Sequence, residues 1–161
     1  MNALELLRND HRKVEDLFDR LGVTDRPEEK ADLFEELAEL LEVHARIERD
    51  VFYPAVKEKN TERLLRQLLE EHEDMDQLLA RMFALDVEDE RFDAELELLQ
   101  RAVEAHVSEE EARLFPAVKR MLSDELLEAL GDELEAEREA TLELEPREAV
   151  DPDGQFAPVG E

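Results

Sequence analysis

The chain has no cysteine, so disulfides and thiolate metal ligands are both excluded, and any metal site must be built from nitrogen and oxygen donors. Basic residues are scarce: 20 Lys and Arg face 47 Asp and Glu, for a formal charge of −27. That imbalance opposes nucleic acid and anionic membrane surfaces as partners. It also attracts cations, although most of it reads as solvated helix faces. No stretch approaches 18 uncharged apolar residues, and the first ten residues, Met1 to Asp10, lack the basic and apolar regions of a signal peptide. The expectation is a soluble, cytoplasmic protein. Strand-type alternation is missing as well, and what remains is helical periodicity with 42% hydrophobic content in 161 residues, enough for one domain with a real core.

What is present in quantity is repetition. Residues 44 to 54, from His44 to Pro54, return in plan at 106 to 116, from His106 to Pro116, and both copies continue into Ala-Val-Lys. Each copy places a glutamate four residues after its histidine, Glu48 and Glu110. On an α-helix that spacing aims an imidazole and a carboxylate the same way. The other two histidines repeat similarly, His11 with Glu15 and His72 with Asp76. The offsets are 61 residues from His11 to His72 and 62 from His44 to His106, as a duplicated helical hairpin requires. All four histidines of the chain are used in this way.

The apolar stripes predict the frame. Leu4, Leu7, Val14, Phe18 and Leu21 mark a first helix capped by Asn2 and ending at Gly22. Asp25 and Pro27 open a second helix that carries His44 and loses regular winding at Pro54. Asn60 or Thr61 caps a third helix with Leu65, Leu68, Met75, Leu79 and Met82 beside His72, and an acidic turn from Asp86 to Asp89 leads into a fourth with Phe92, Leu99, Val103 and His106. Short connections favour an all-α, antiparallel up-down-up-down four-helix bundle. Ser123 is expected to cap a shorter fifth helix, interrupted at Gly131, that covers one bundle end or pairs with another subunit. The bundle and this helix form a domain over 1–140; residues 141–161, with Pro146, Pro152, Pro158, Gly154 and Gly160, read as an irregular acidic tail.

One imidazole on an apolar face is ordinarily a hydrogen-bonded core residue. Four at mid-helix, each with an acid at i+4, resist that explanation, because burying so many polar and charged groups without neutralisation is costly. Cations resolve the cost. Nitrogen and carboxylate donors without sulfur suit iron, with manganese and zinc as the alternatives, and two related ligand sets suggest two metals bridged by carboxylates. Glu15 and Asp76 are equivalent in the repeat, and either complete the coordination or accept hydrogen bonds from the ligand histidines, the first being preferred. Tyr53, the only tyrosine, falls half a turn from the ligand face of a regular helix and is assigned to packing at the bundle end.

On these residues, over 1 to about 140, the chain resembles the hemerythrin family, in particular its hemerythrin-like HHE cation-binding branch. The resemblance implies two non-heme irons, carboxylate- and oxo- or hydroxo-bridged, with His11 and His44 on one, His72 and His106 on the other, and Glu48 and Glu110 bridging. Oxygen-carrying hemerythrins have a fifth histidine where Asp76 stands, and the chain is more similar to four-histidine relatives with added carboxylates, such as those of an iron-sensing F-box protein and bacterial stress-linked proteins. The functions implied are binding or sensing of O2, NO, peroxide or iron, catalase-like or peroxide-reducing turnover, or a metal-stabilised interaction module. As a ligand, Asp76 is expected to lower the reduction potential and to favour reaction with peroxide over carriage of O2.

Overall fold

The structure, a computed structural model, describes residues 1–144. Among these residues there is no strand and no helix long and apolar enough to cross a membrane. Four long helices form an antiparallel bundle: α1 (Ala3–Val23), α2 (Pro27–Ile47), α4 (Glu62–Phe83) and α5 (Glu90–Glu109). α1 begins where the Asn2 side chain accepts from the Glu5 amide at 2.9 Å, and α5 where Asp89 accepts from the Arg91 amide at 2.8 Å. Pro27 stands in the first turn of α2, where its missing N–H leaves no bond unmade. Thr61 precedes α4, but its hydroxyl donates to the Val56 carbonyl at 2.8 Å instead of capping the helix.

α2 and α5 do not stop cleanly. Each passes into a five-residue π turn, Glu48–Phe52 and Glu110–Leu114, and then into a short helix, α3 (Tyr53–Ala55) and α6 (Phe115–Met121). Pro54 and Pro116 supply a physical reason. A proline removes the bond to the carbonyl four residues back and its ring presses on that carbonyl, and widening the preceding turn moves the carbonyl aside.

The core falls into two apolar clusters. One holds Leu4, Leu7, Ile47, Phe52, Leu68, Leu114 and Phe115; the other holds Val14, Phe18, Leu37, Met75, Met82, Phe92, Leu99 and Val103. In sequence each histidine sits between residues of one cluster and residues of the other, the first-cluster residues after His106 being Leu114 and Phe115 beyond the end of α5. Burial of large side chains such as Phe52, Phe92 and Phe115 contributes about 1.5–3 kcal/mol each, and this holds a polar layer in place that would not assemble alone.

The last helix differs from expectation. α7 (Asp124–Leu144), begun by Ser123 Oγ accepting from the Leu126 amide at 3.2 Å, is 21 residues long, as long as α1 and α2. It runs through Gly131 unbroken, because the glycine serves close approach: a Cβ there would run into the Met1 carbonyl and the Asn2 backbone. Leu127, Leu130 and Leu134 join the first cluster, and Thr141, placed in the tail by sequence, is buried near the end of this helix. The remainder of the expected tail, 145–161, lies outside the described residues.

Candidate metal centre

His11, His44, His72 and His106 are all buried, and Glu48 and Glu110 have no exposed surface at all. They converge into two groups whose donor atoms lie within 4.8 Å of one another: His11, His44, Glu48 and Glu110 in one, and Glu48, His72 and His106 in the other. Glu48 belongs to both. His11 Nε2 is 3.1 Å from Glu110 Oε1, His44 Nε2 is 3.2 Å from Glu48 Oε2, and His72 Nε2 is 3.0 Å from Glu48 Oε1. His72 Nε2 and His106 Nε2 lie 3.2 Å apart. Donors about 2.0–2.2 Å from a shared ion stand roughly 3–3.5 Å apart, so these separations fit common coordination. Buried His44 Nε2 and Glu48 Oε2 lack hydrogen-bond partners despite their proximity, as lone pairs aimed at a shared point would.

Outer carboxylates fix the ring orientations. His44 Nδ1 donates to Asp10 Oδ2 at 2.8 Å, His106 Nδ1 to Glu71 Oε1 at 2.8 Å, and His11 Nδ1 to Glu111 Oε2 at 2.6 Å. Each bond turns Nε2 toward the centre and makes it the better donor. Asp10 and Glu71 immediately precede His11 and His72, so these acceptors follow the internal repeat. The signal was present in the sequence one residue before each histidine. His72 breaks the pattern: its Nδ1 is buried without a partner, and Arg49 occupies the position equivalent to Glu111.

Glu15 and Asp76 are not brought into either group. Both are exposed, although Asp76 is among the residues that line a small cavity beside the histidines. The buried lines of α1 and α4 continue from the histidine to the residues at i+3, i+7 and i+10: Val14, Phe18 and Leu21, and Met75, Leu79 and Met82. A step of four turns to the other side of that line, toward solvent.

Tyr53 corrects the sequence reading in the opposite direction. Its hydroxyl donates to Glu110 Oε2 at 2.7 Å, lies 3.3 Å from Glu48 Oε1 and 3.4 Å from His72 Nε2, and its ring stacks on His72 with centroids 5.5 Å apart. The assignment to packing assumed a regular helix, in which five residues from Glu48 overshoot a full turn by about 140°. Here the Tyr53 amide bonds the Glu48 carbonyl across the π turn, which brings the side chain back over the glutamate. In the other half the equivalent residue is Phe115, stacked on His11 at 6.1 Å with 6° between planes.

The layer is electrostatically self-compensating without metal. Burial pulls the His44 pKa down, but the Glu48 charge and the Asp10 bond outweigh it and set it well above the ordinary value. Burial likewise opposes His106, which is nonetheless raised to about 10 by Glu48, Glu71 and Glu110. Glu48 is held well below the usual range against its burial by the His44 charge and surrounding hydrogen bonds, whereas burial and the Glu48 charge push Glu110 up. Burial and both glutamates raise the Tyr53 pKa well above its ordinary value, so it stays a neutral donor. Beside the centre, His11, His44, His72, His106, Met75 and Val103 help line a mostly apolar cavity of about 30 Å³.

Comparison with known proteins agrees with this geometry. The family model for the Hemerythrin HHE cation binding domain matches residues 2–118. A crystal structure of a hemerythrin HHE cation binding domain-containing protein from Mycobacterium kansasii superposes with a TM-score of 0.79 at 28% identity, covering 91% of this chain and 93% of that one. An uncharacterised protein of Mycobacterium tuberculosis is 29% identical over 138 residues, 84% of each chain. A DNA nickase of Nostoc sp. is 32% identical over 136 residues, which span 84% of this chain and 39% of that protein.

Proposed function

Because the chain belongs to the hemerythrin HHE cation binding domain family and gathers four histidines and two glutamates into two groups that share Glu48, we propose that it is a non-heme di-iron protein that binds O2, NO or peroxide. The observation that carries the reading is the small apolar cavity lined by all four histidines. A donor layer meant only to neutralise charge needs no such opening, and a cavity of about 30 Å³ has room for a diatomic or other molecule near the size of water. Manganese and zinc accept the same donors; iron is preferred because imidazole and carboxylate together suit non-heme iron. Iron bound here supplies an electron donor and acceptor together with a Lewis-acidic point of attachment.

The protein's own groups divide the remaining tasks. Asp10, Glu71 and Glu111 keep three imidazoles turned inward, the two apolar clusters keep water out, and Tyr53 keeps a proton at Oη within 2.7 Å of Glu110. That buried phenol favours a second reading, peroxide-reducing turnover, in which a proton must be delivered as an O–O bond is broken. The activity named for the Nostoc relative is not carried over, since this chain spans 39% of that protein and its charge of −27 repels nucleic acid. A purely structural metal holding an interaction module leaves the cavity and Tyr53 unexplained.

The test is to load the protein with iron, reduce it anaerobically and add NO, O2 or hydrogen peroxide in turn while recording visible and paramagnetic resonance spectra. A saturable NO adduct is expected. A protein with full iron content whose spectrum none of the three molecules changes would be a structural metalloprotein.

A further inference from the structure

The family match ends at residue 118, yet the environment of one ligand histidine depends on a helix beyond it. Arg138, on α7, donates from Nη2 to Asp10 Oδ2 at 2.7 Å, and the same oxygen accepts from His44 Nδ1 at 2.8 Å. An unbroken chain of hydrogen bonds therefore runs from α7 through α1 to the His44 ring on α2. We propose that Arg138 is a positioning residue for the metal centre, holding Asp10 aimed at His44, so that α7 governs how firmly the half containing His11 and His44 keeps its metal.

The argument rests on the metal-binding reading above and on an asymmetry between the halves. A histidine that ligates through Nε2 is neutral and offers its acceptor carboxylate a hydrogen bond but no charge. In one half that carboxylate is Glu71, whose side chain is 29% exposed and also accepts from Gln67 Nε2 at 3.0 Å, so water and an amide suffice. In the other half it is Asp10, whose side chain is only 3% exposed. A buried carboxylate facing a neutral imidazole needs a cation of its own. Arg138, with 18% of its side chain exposed, is the residue that supplies it. Its stem is fixed by α7, which the close approach at Gly131 and the buried Leu127, Leu130 and Leu134 hold against the bundle.

The test uses the full chain with Arg138→Leu, Arg138→Lys, Asp10→Asn and the Asp10→Asn/Arg138→Leu double variant. In metal-free protein, nuclear magnetic resonance follows the Nδ1 protons of His44 and His106. Arg138→Leu is expected to shift the His44 signal and leave that of His106 in place, with Arg138→Lys intermediate. In iron-loaded protein, release to excess chelator should become several-fold faster for one of two metals. That is less than the roughly 10–100-fold typical of losing a ligand's direct partner, and the added effect should vanish in the Asp10→Asn background. An unchanged His44 signal in Arg138→Leu overturns the proposal. So does equal acceleration of both metals, or an effect that persists fully without Asp10, since either would make α7 a packing element only. Wild-type protein that takes fewer than two metals counts against the two-metal reading itself, while the metal-free signals still decide the role of Arg138.

Discussion

Replacing Tyr53 by phenylalanine removes one oxygen from the centre and little else. Phe115 already fills the equivalent place against His11 with nearly parallel rings, so a phenyl group at 53 fits against His72 without a cavity. The loss is the 2.7 Å bond to Glu110, a carboxylate with no exposed surface. A hydrogen bond to a charged group contributes about 1.5–3 kcal/mol, and for a chain of this size that converts to a melting shift of roughly 3–12 °C in metal-free protein. Iron content should be unchanged, because the Tyr53 hydroxyl stays a neutral donor to Glu110. If the phenol delivers protons, the reaction with peroxide should slow by about 100-fold or more while NO binding persists. Differential scanning calorimetry of the chelator-treated protein, metal analysis and stopped-flow absorbance read the three effects separately. Loss of iron together with loss of a phenolate-to-metal absorption would refute the reasoning, since Oη would then be a ligand and not a proton donor.

Glu48→Ala should lose both metals and His72→Ala only one, because Glu48 alone enters both groups; metal analysis of the purified variants decides this. Glu15→Gln, Asp76→Asn and Asp76→His should leave metal content and spectrum as in wild type, and a shift toward reversible O2 binding in Asp76→His would return that residue to the coordination sphere. The pH dependence follows from His106. Its folded pKa, raised to about 10 from 6.5, means that protonation stabilises the metal-free protein fully below pH 6.5, less as pH rises through that window, and not at all above about 10. Metal-free protein should therefore lose melting temperature between those values. Since metal must displace the proton, iron affinity should rise over the same range.

Where the helices are regular, periodicity carried the fold. The lines through His11 and His72 predicted α1 and α4, and the expected caps Asn2 and Ser123 act as such in the structure. The sequence also pointed to the six residues that converge, because duplication repeats both the histidines and the glutamates of the second and fourth helices. Three features were not legible. A π turn leaves no periodic trace, so Tyr53 was placed half a turn from where it lies, although a proline at 54 and again at 116 marks the same irregularity in both halves. Of the i+4 acids, Glu48 and Glu110 group with the histidines while Glu15 and Asp76 are exposed, because the buried line leans toward i+3, and the acids bonded to His44 and His106 are Asp10 and Glu71, which stand one residue before His11 and His72. Arg138 acts across 128 residues of sequence, and nothing local announces such a contact.

The central claim, a two-metal centre built on a shared Glu48, is tested most directly by counting metal. The protein should be produced with iron available, purified without chelator, and analysed for metal per chain alongside its near-ultraviolet and visible spectrum. The account predicts two irons per chain and an oxo-bridge charge-transfer band. Less than one metal ion of any kind per chain would contradict it.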